Sequence, residues 1–421
     1  MNSRERVRAA INHRQPDRVP LDLGGTAVTG IAASTYARLR QALGLPRHPP
    51  KVTEPFQVLA EVEDDVRDAL GVDTVGLGLP TTFFGYKNEG PWKPWTLFDG
   101  TEVLVPDKFV VREAANGDLL LYPKGDTSVP PSAHMPKDGY YFDAIIRQET
   151  LDWEHLDANE WADQMYSVYT DEDIGYLQQQ AEWLYANTTR SIIWGFGGGG
   201  FGDIAWVPGP NLLHPKGIRD PQDWIIAHKT HPEYIRGIFA RQCEIGLENL
   251  RLVWQAVGSK IDVVFVSGTD FGTQDRPFIS PEMYRALYKP FHKRINDWIH
   301  QNTTWKVFFH SCGSIVALLD DLVDVGVDII NPVQCSARGM EPEHLKQRYG
   351  RQLVFWGGGV DTQWTLPFGT PDEVYAQVRE RIRIFNDGGG YVFNTIHNIQ
   401  ANVPIANLMA MFKAITDSAQ A

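Results

Sequence analysis

Short apolar runs that close on Gly, Asn, Asp or His, each followed by a helical pattern, recur along the chain. They occupy 18–25 (RVPLDLGG), 74–80 (TVGLGLP), 191–198 (SIIWGFGG), 263–270 (VVFVSGTD), 305–312 (WKVFFHSC), 328–334 (DIINPVQ), 354–361 (VFWGGGVD) and 391–398 (YVFNTIHN). A strand that is apolar on both faces belongs in a parallel sheet covered by helices. Helix starts lie between the runs. Ser280-Pro281-Glu282-Met283 and Thr370-Pro371-Asp372-Glu373 each place an N-cap, a proline at the first helical position and an acid in the first turn. Eight such strands alternating with helices predict an α/β fold of the (β/α)8 TIM-barrel type. An open, doubly wound sheet is the alternative.

The 421 residues, 43% of them hydrophobic, suffice for one large core, and barrels of this length often form a single unit. We therefore expect one domain over 1–421. Residues 92–140 break the alternation with short antiparallel patterns around Asn116-Gly117-Asp118, a hairpin signal. They predict a small antiparallel β insertion after the second strand, on the side where strands exit. It serves either as a cap over the active site or as surface decoration.

The formal net charge of -13 disfavours phosphate backbones and anionic lipid, so neither nucleic acid nor a membrane surface is expected as a partner. No apolar run approaches the roughly 20 residues that span a bilayer, and the charged start Met1-Asn2-Ser3-Arg4-Glu5-Arg6 lacks the apolar core of a signal peptide. Three cysteines, Cys243, Cys312 and Cys335, are too few for a disulfide framework. A cytoplasmic location is expected. The oligomeric state is left open.

In a barrel the chemistry sits at the C-terminal ends of the strands. There the later runs end in Thr269-Asp270 followed by Gln274, in His310-Ser311-Cys312, in Asn331-Pro332-Val333-Gln334, in Asp361-Thr362-Gln363, and in Asn394-Thr395-Ile396-His397-Asn398-Ile399-Gln400. His310 and Cys312 are two apart on an extended segment, so they share a face. Imidazole and thiolate are ligands zinc prefers, and His397 is the candidate third ligand, with Cys335 as its rival. Asp270, His310 and Asp361 are candidate catalytic residues, with Asp270 also able to serve as a fourth ligand or to orient His310. Gln274, Asn331, Gln334, Gln363, Asn394 and Gln400 are candidate substrate-binding residues. The competing reading makes His310 and His397 acid–base groups without a metal. Gly195 to Gly202 (GFGGGGFG) lacks the Gly-Lys-Ser/Thr ending of a phosphate loop and reads as a flexible rim or a wall for a flat ligand. Cys243 reads as core packing, and His13, His48, His228, His231 and His300 as surface residues.

The segments NSRERVRAAINHRQPDRVPLDLG, GTDFGTQDRPFISPEMY, FFHSCGSI, GVDIINPVQ, FWGGGVDTQWTLPFGTP and HNIQANVP resemble the uroporphyrinogen decarboxylase superfamily. The resemblance covers the first strand and most of the chain from Ser191 onward. It implies the barrel fold and a catalytic mouth. The decarboxylases carry an arginine-rich motif after the first strand, whereas this chain has Gly24-Gly25-Thr26-Ala27. In character it is closer to the methyltransferase branch, in which His-x-Cys and a second cysteine bind zinc. His310 and Cys312 match that pair, and His397 stands in place of the second cysteine. The resemblance thus implies a zinc-dependent methyltransferase or demethylase. Its methyl donor is a small O- or N-methylated molecule, and its acceptor is a corrinoid protein or tetrahydrofolate. A His2Cys site keeps more positive charge on zinc than a HisCys2 site, which favours activation of an oxygen leaving group over release of a thiolate. Two alternatives are carried: a metal-free carboxy-lyase like uroporphyrinogen decarboxylase, and a non-catalytic barrel that binds a corrinoid or tetrapyrrole.

Overall fold

The computed structural model describes residues 1–419, so the last two residues of the expected 1–421 domain lie outside the described residues. Seven parallel strands form one curled sheet: β1 (Thr74–Leu77), β2 (Ser191–Gly195), β3 (Val263–Ser267), β4 (Lys306–His310), β5 (Ile329–Asn331), β6 (Val354–Trp356) and β7 (Tyr391–Val392), in that spatial order. The eighth position is filled by the expected first strand, now reduced to a few residues. Asp22 N–H donates to Phe393 O (2.9 Å) and Phe393 N–H to Pro20 O (2.8 Å), while Asp73 N–H donates to Leu21 O (2.8 Å). Residues 20–22 therefore bridge β7 to the start of β1 and close the ring. The fold is a TIM-like barrel, as the alternation predicts, and not an open sheet.

Alternation along the strands sorts the side chains. Ile193, Val263, Phe308, Ile329, Val354, Trp356 and Val392 point inward and pack as one cluster, while their neighbours face the surrounding helices. The amino-terminal helix Ser3–Ile11 plugs one end, inserting Val7, Ala10 and Ile11 into the same inner cluster. Asn2 and Glu5 form a capping box at its start. The expected helix starts are present. Ser280 caps Pro281–Leu287, and Thr370 with Glu373 caps Pro371–Phe385, whose Val374, Val378, Ile382 and Phe385 are buried. No helix among the described residues is long and apolar enough to cross a membrane.

The insertion is larger than one hairpin. Trp92–Thr96 pairs with Glu102–Pro106, and a second antiparallel sheet runs through Val111–Glu113, Leu119–Leu121, Ala133–Met135 and Asp143–Ala144. Gly117 sits at φ +88° in the turn between the strands at 111–113 and 119–121, a left-handed position where glycine carries no steric cost. The insertion stands beside the helix Ala33–Ala42 and leaves a cavity of about 230 Å³ lined by Trp95, Phe98, Tyr140 and Ser34.

At the plugged end the closing segment is fastened by charge. Asp73, fully buried, accepts from Arg6 Nη1 (2.7 Å), Arg18 Nη1 (2.7 Å) and Leu21 N–H (2.9 Å). Removing one partner of a buried ion network leaves uncompensated charge, at a cost of about 3–5 kcal/mol. Asp73→Ala should lose stability of that order in urea denaturation. A loss below about 1 kcal/mol would show that the ring closes without this fastening.

Candidate active site

His310 ends β4 and points into the barrel mouth. Its Nδ1–H donates to Asn331 Oδ1 (2.5 Å), and Asn331 Nδ2 donates in turn to Trp356 O (2.7 Å). Because the amide nitrogen of Asn331 is committed to a carbonyl, its oxygen must face the imidazole. That fixes the Nδ1–H tautomer of His310, the one whose lone pair is on Nε2. Nε2 faces Cys312 Sγ at 3.4 Å and Asp270 Oδ1 at 3.6 Å. Asp270 is held by Cys312 N–H, which donates to its Oδ1 (2.6 Å). Three electron-rich atoms thus converge, an arrangement that calls for a cation or an extra proton among them.

His397 completes the cluster. Ligand atoms of His310, Cys312 and His397 lie within 4.8 Å of one another, and the two imidazole rings meet edge to face, with centroids 5.3 Å apart. His397 adopts φ +72°, a left-handed conformation unusual for a side-chain-bearing residue and characteristic of functional sites. Asn398 N–H donates to its Nδ1 (2.8 Å). Burial and the nearby His310 hold the His397 imidazole below its ordinary pKa, so it is neutral at pH 7. Burial pushes the Cys312 thiol up, and Asp270 and Asp203 push it further. No lysine or arginine contributes to the shifts of Cys312, His397 or Asp203.

These residues fit a zinc ion. Zn–N and Zn–S bonds of about 2.0 and 2.3 Å at a tetrahedral angle separate two donors by about 3.5 Å; the His310–Cys312 separation is 3.4 Å. The His310 Nε2 lone pair, the Cys312 sulfur 3.4 Å away and the Asp270 oxygen at 3.6 Å form a donor set that suits a metal cation. His397 offers Nδ1 on release of the Asn398 bond, or Nε2 on release of a proton. Cys335, the rival ligand, donates to Val333 O (3.2 Å) and stands outside the cluster.

The other candidates have different duties. Asp361 Oδ1 accepts the N–H groups of Gln363 (2.7 Å) and Trp364 (2.8 Å), so it caps the turn after β6. Asn331 orients His310. Gln334 Oε1 accepts from Gly313 N–H (2.8 Å), and its amide donates to Gln274 Oε1 (3.0 Å). Gln274 donates to Ser336 O (2.5 Å), and Ser336 reaches Gln363 Oε1 (3.3 Å). These three glutamines lace the rim loops together beside Cys312. Gln400 lies partly buried near Asn398 O (3.4 Å). Asn394 donates to Asp22 O (3.0 Å) and keeps a buried acceptor, Oδ1, unpaired among the described residues. His228, expected at the surface, is buried between Trp224 O (2.7 Å) and the Tyr288 hydroxyl (2.5 Å).

Sequence reasoning missed three residues. The glycine run is no flexible rim: Gly197 and Gly199 N–H donate to Phe265 O (2.8 Å) and Val266 O (3.0 Å), so the loop lies flat on β3. A side chain on Gly199 would meet Val266 Cγ1 at 2.4 Å. The loop delivers Asp203, whose carboxyl is pushed up to about 7, first by burial and then by Asp270. Asp22 is the second. Fully buried, it accepts from Thr74 Oγ1 (2.6 Å), Trp356 Nε1 (2.8 Å) and Gly25 N–H (3.0 Å), with burial raising its pKa. Asn398, the third, accepts from Gly30 N–H (2.6 Å) and donates to Ala27 O (2.9 Å), tying the loop after the closing segment to the site. The acid following a glycine run was the signal available for Asp203.

A carboxyl raised by folding binds more protons folded than unfolded. Asp203 therefore contributes full stability below its unfolded value of about 4 and loses it as pH rises toward 7. Asp203→Asn should flatten the fall in stability between pH 4 and 7, measured by urea denaturation across that range. An unchanged slope would show that the Asp203 carboxyl titrates as in solvent.

Three comparisons bear on this site. A family model described as uroporphyrinogen decarboxylase (URO-D) matches residues 262–418. Uroporphyrinogen decarboxylase of Parasynechococcus marenigrum (strain WH8102) is 27% identical over 136 residues, which is 32% of this chain and 36% of that relative. The matched stretch thus spans about a third of the relative's length. A solved structure described as a methyltransferase from Methanosarcina mazei matches with a TM-score of 0.52 at 14% identity, covering 99% of both chains, a likeness of fold. The segment from β3 to the last helix, which supplies His310, Cys312 and His397, is the part of the chain that the uroporphyrinogen decarboxylase family model matches.

Proposed function

We propose that this chain is a zinc-dependent methyltransferase that removes a methyl group from a small O- or N-methylated molecule and passes it to a corrinoid protein or a folate. The observation that carries the reading is the convergence of His310 Nε2, Cys312 Sγ and His397, with the His310 tautomer locked by Asn331. The likeness in fold to the Methanosarcina mazei methyltransferase supports it. His310, Cys312 and His397 would hold the metal, which supplies Lewis acidity to the departing oxygen or nitrogen. Asn331 keeps the His310 lone pair aimed. Asp270 fixes the Cys312 backbone and stands beside His310 Nε2. Asp203 is placed to hold a proton for the leaving group near neutral pH.

The match to a decarboxylase keeps a second reading in view, in which His310, His397 and Asp270 manage protons without metal. Against it, a porphyrinogen needs cations for its carboxylates, and the loop 24–30 after the closing segment carries no arginine.

Purified protein should hold about one zinc per chain. Cys312→Ser should lose most of it, His397→Ala should weaken it as severely as His310→Ala, and Cys335→Ala should change little. Asn331→Leu, which leaves every ligand in place, should cost about 10–100-fold in zinc affinity. Gently purified protein without metal would overturn the zinc reading. For the reaction, a panel of methylated donors is offered anaerobically with a cob(I)amide acceptor, beside uroporphyrinogen. Methylcobamide formation that disappears in Cys312→Ser is expected, and carbon dioxide release from uroporphyrinogen would overturn the proposal.

A further inference from the structure

Phe56, Phe83 and Trp206 form a row of touching rings, with centroids 4.7 Å apart for Phe56–Phe83 and 4.0 Å for Phe83–Trp206. All three are half-buried, so each ring keeps an exposed part. They come from three loops: Phe56 from the turn after the short strand Val52–Glu54, Phe83 from the loop after β1, and Trp206 from the loop after β2. Both ends of the row are tied to the site. Trp206 N–H donates to the backbone oxygen of Asp203 (3.0 Å), and the Asp203 side chain lies against Gly268, two residues before Asp270. At the other end Phe56 precedes Gln57, whose Oε1 accepts from Asn398 Nδ2 (3.0 Å), next to His397. The insertion backs the row: Phe142 N–H donates to Phe56 O (2.8 Å), and Phe142 packs on Phe84 behind Phe83.

Single exposed aromatics need no explanation, but a contiguous row at a catalytic mouth marks a binding surface. Its geometry restricts the ligand. An aromatic cage for a quaternary ammonium needs faces that converge on the cation from separate sides. Here adjacent rings touch one another, which leaves no space between them for a cation. A ligand must lie along the row, and offset or tilted stacking on such a surface suits a flat ring. Glu54 anchors the Phe56 end of the row, its carboxyl accepting from Phe56 and Gln57 N–H at 2.8 Å.

We infer that Phe56, Phe83 and Trp206 are the docking wall for an arene, and that the methyl donor is an aryl methyl ether. This rests on the methyltransferase reading. In the transfer the O–CH3 bond breaks, the carbon joins the nucleophilic centre of the reduced acceptor, and the electron pair stays on oxygen as a phenolate, which then takes up a proton. A phenol has a pKa of about 10, so its conjugate base leaves more readily than an alkoxide.

The test is calorimetric titration of the zinc-loaded full chain with 2-methoxyphenol, phenol and 2-methoxyethanol. The two arenes should bind at concentrations where the aliphatic ether does not. Trp206→Ala should weaken them about tenfold, Trp206→Phe should keep most of the affinity, and Trp364→Ala, on another loop, should leave it unchanged. Circular dichroism confirms that each variant is folded. Equal affinity for arene and aliphatic ether, or arene binding indifferent to Trp206→Ala in folded protein, would overturn the inference. Methyl transfer from 2-methoxyethanol but not from 2-methoxyphenol would also overturn it, leaving the methyltransferase reading intact. Arene binding at Trp206 without any methyl transfer would sustain the wall and remove the reaction.

Discussion

The site exists because three residues close the ring. Residues 20–22 make backbone bonds to Phe393 on one side and Asp73 on the other, and this bridge holds the curvature of the seven-stranded sheet. Its consequence is measurable at the mouth. His310 follows β4 and His397 follows β7, three strands away in the sheet order. At about 4.8 Å per strand, a flat sheet would hold them about 14 Å apart. The ligand atoms instead lie within 4.8 Å. Curvature, not sequence proximity, makes the cluster.

Inside the ring the side chains form tiers. Phe308 and Ile329 sit in the apolar inner cluster, and two residues further along the same strands stand His310 and Asn331. The period of two that buries one therefore aims the other. Trp356 serves both tiers: its ring packs on Phe308, its indole N–H donates to Asp22, and its carbonyl receives Asn331. The His310 tautomer is thus set by groups that are also barrel core, which makes the imidazole rigid before any ligand arrives.

The strand ends and the His-x-Cys pair were legible because they depend only on local alternation. So was the place of His397 beside them, since a closed ring curves the last strand toward β4. Roles that depend on which loop packs where were not legible. Asn331 and the glutamines looked like free hydrogen-bonding groups on a pocket floor, yet they are engaged by side chains and backbone atoms of neighbouring strands and loops. Asp203 hung on the path of a glycine run whose packing onto β3 no local pattern specifies. The closing strand was overestimated in length, because the composition of a short run does not reveal how many of its residues will find two neighbours.

The two ends of the barrel treat negative charge in opposite ways. Asp73, Asp262 and Asp328 each precede a strand, at the plugged end. Each is matched by a cation: Arg6 and Arg18 on Asp73, Arg8 on Asp262, and Lys306 on Asp328, which also accepts from His300. At the mouth, Asp203 and Asp22 have no ion pair among the described residues, and Asp270 has only His310. Among the described residues, none of the 39 lysines and arginines pairs with these mouth carboxyls. Burial raises the pKa of Asp22 and Asp203, so at the mouth protons take the part that cations take at the plugged end. That division matches the separation in such barrels between an end that stabilises the fold and an end that does chemistry.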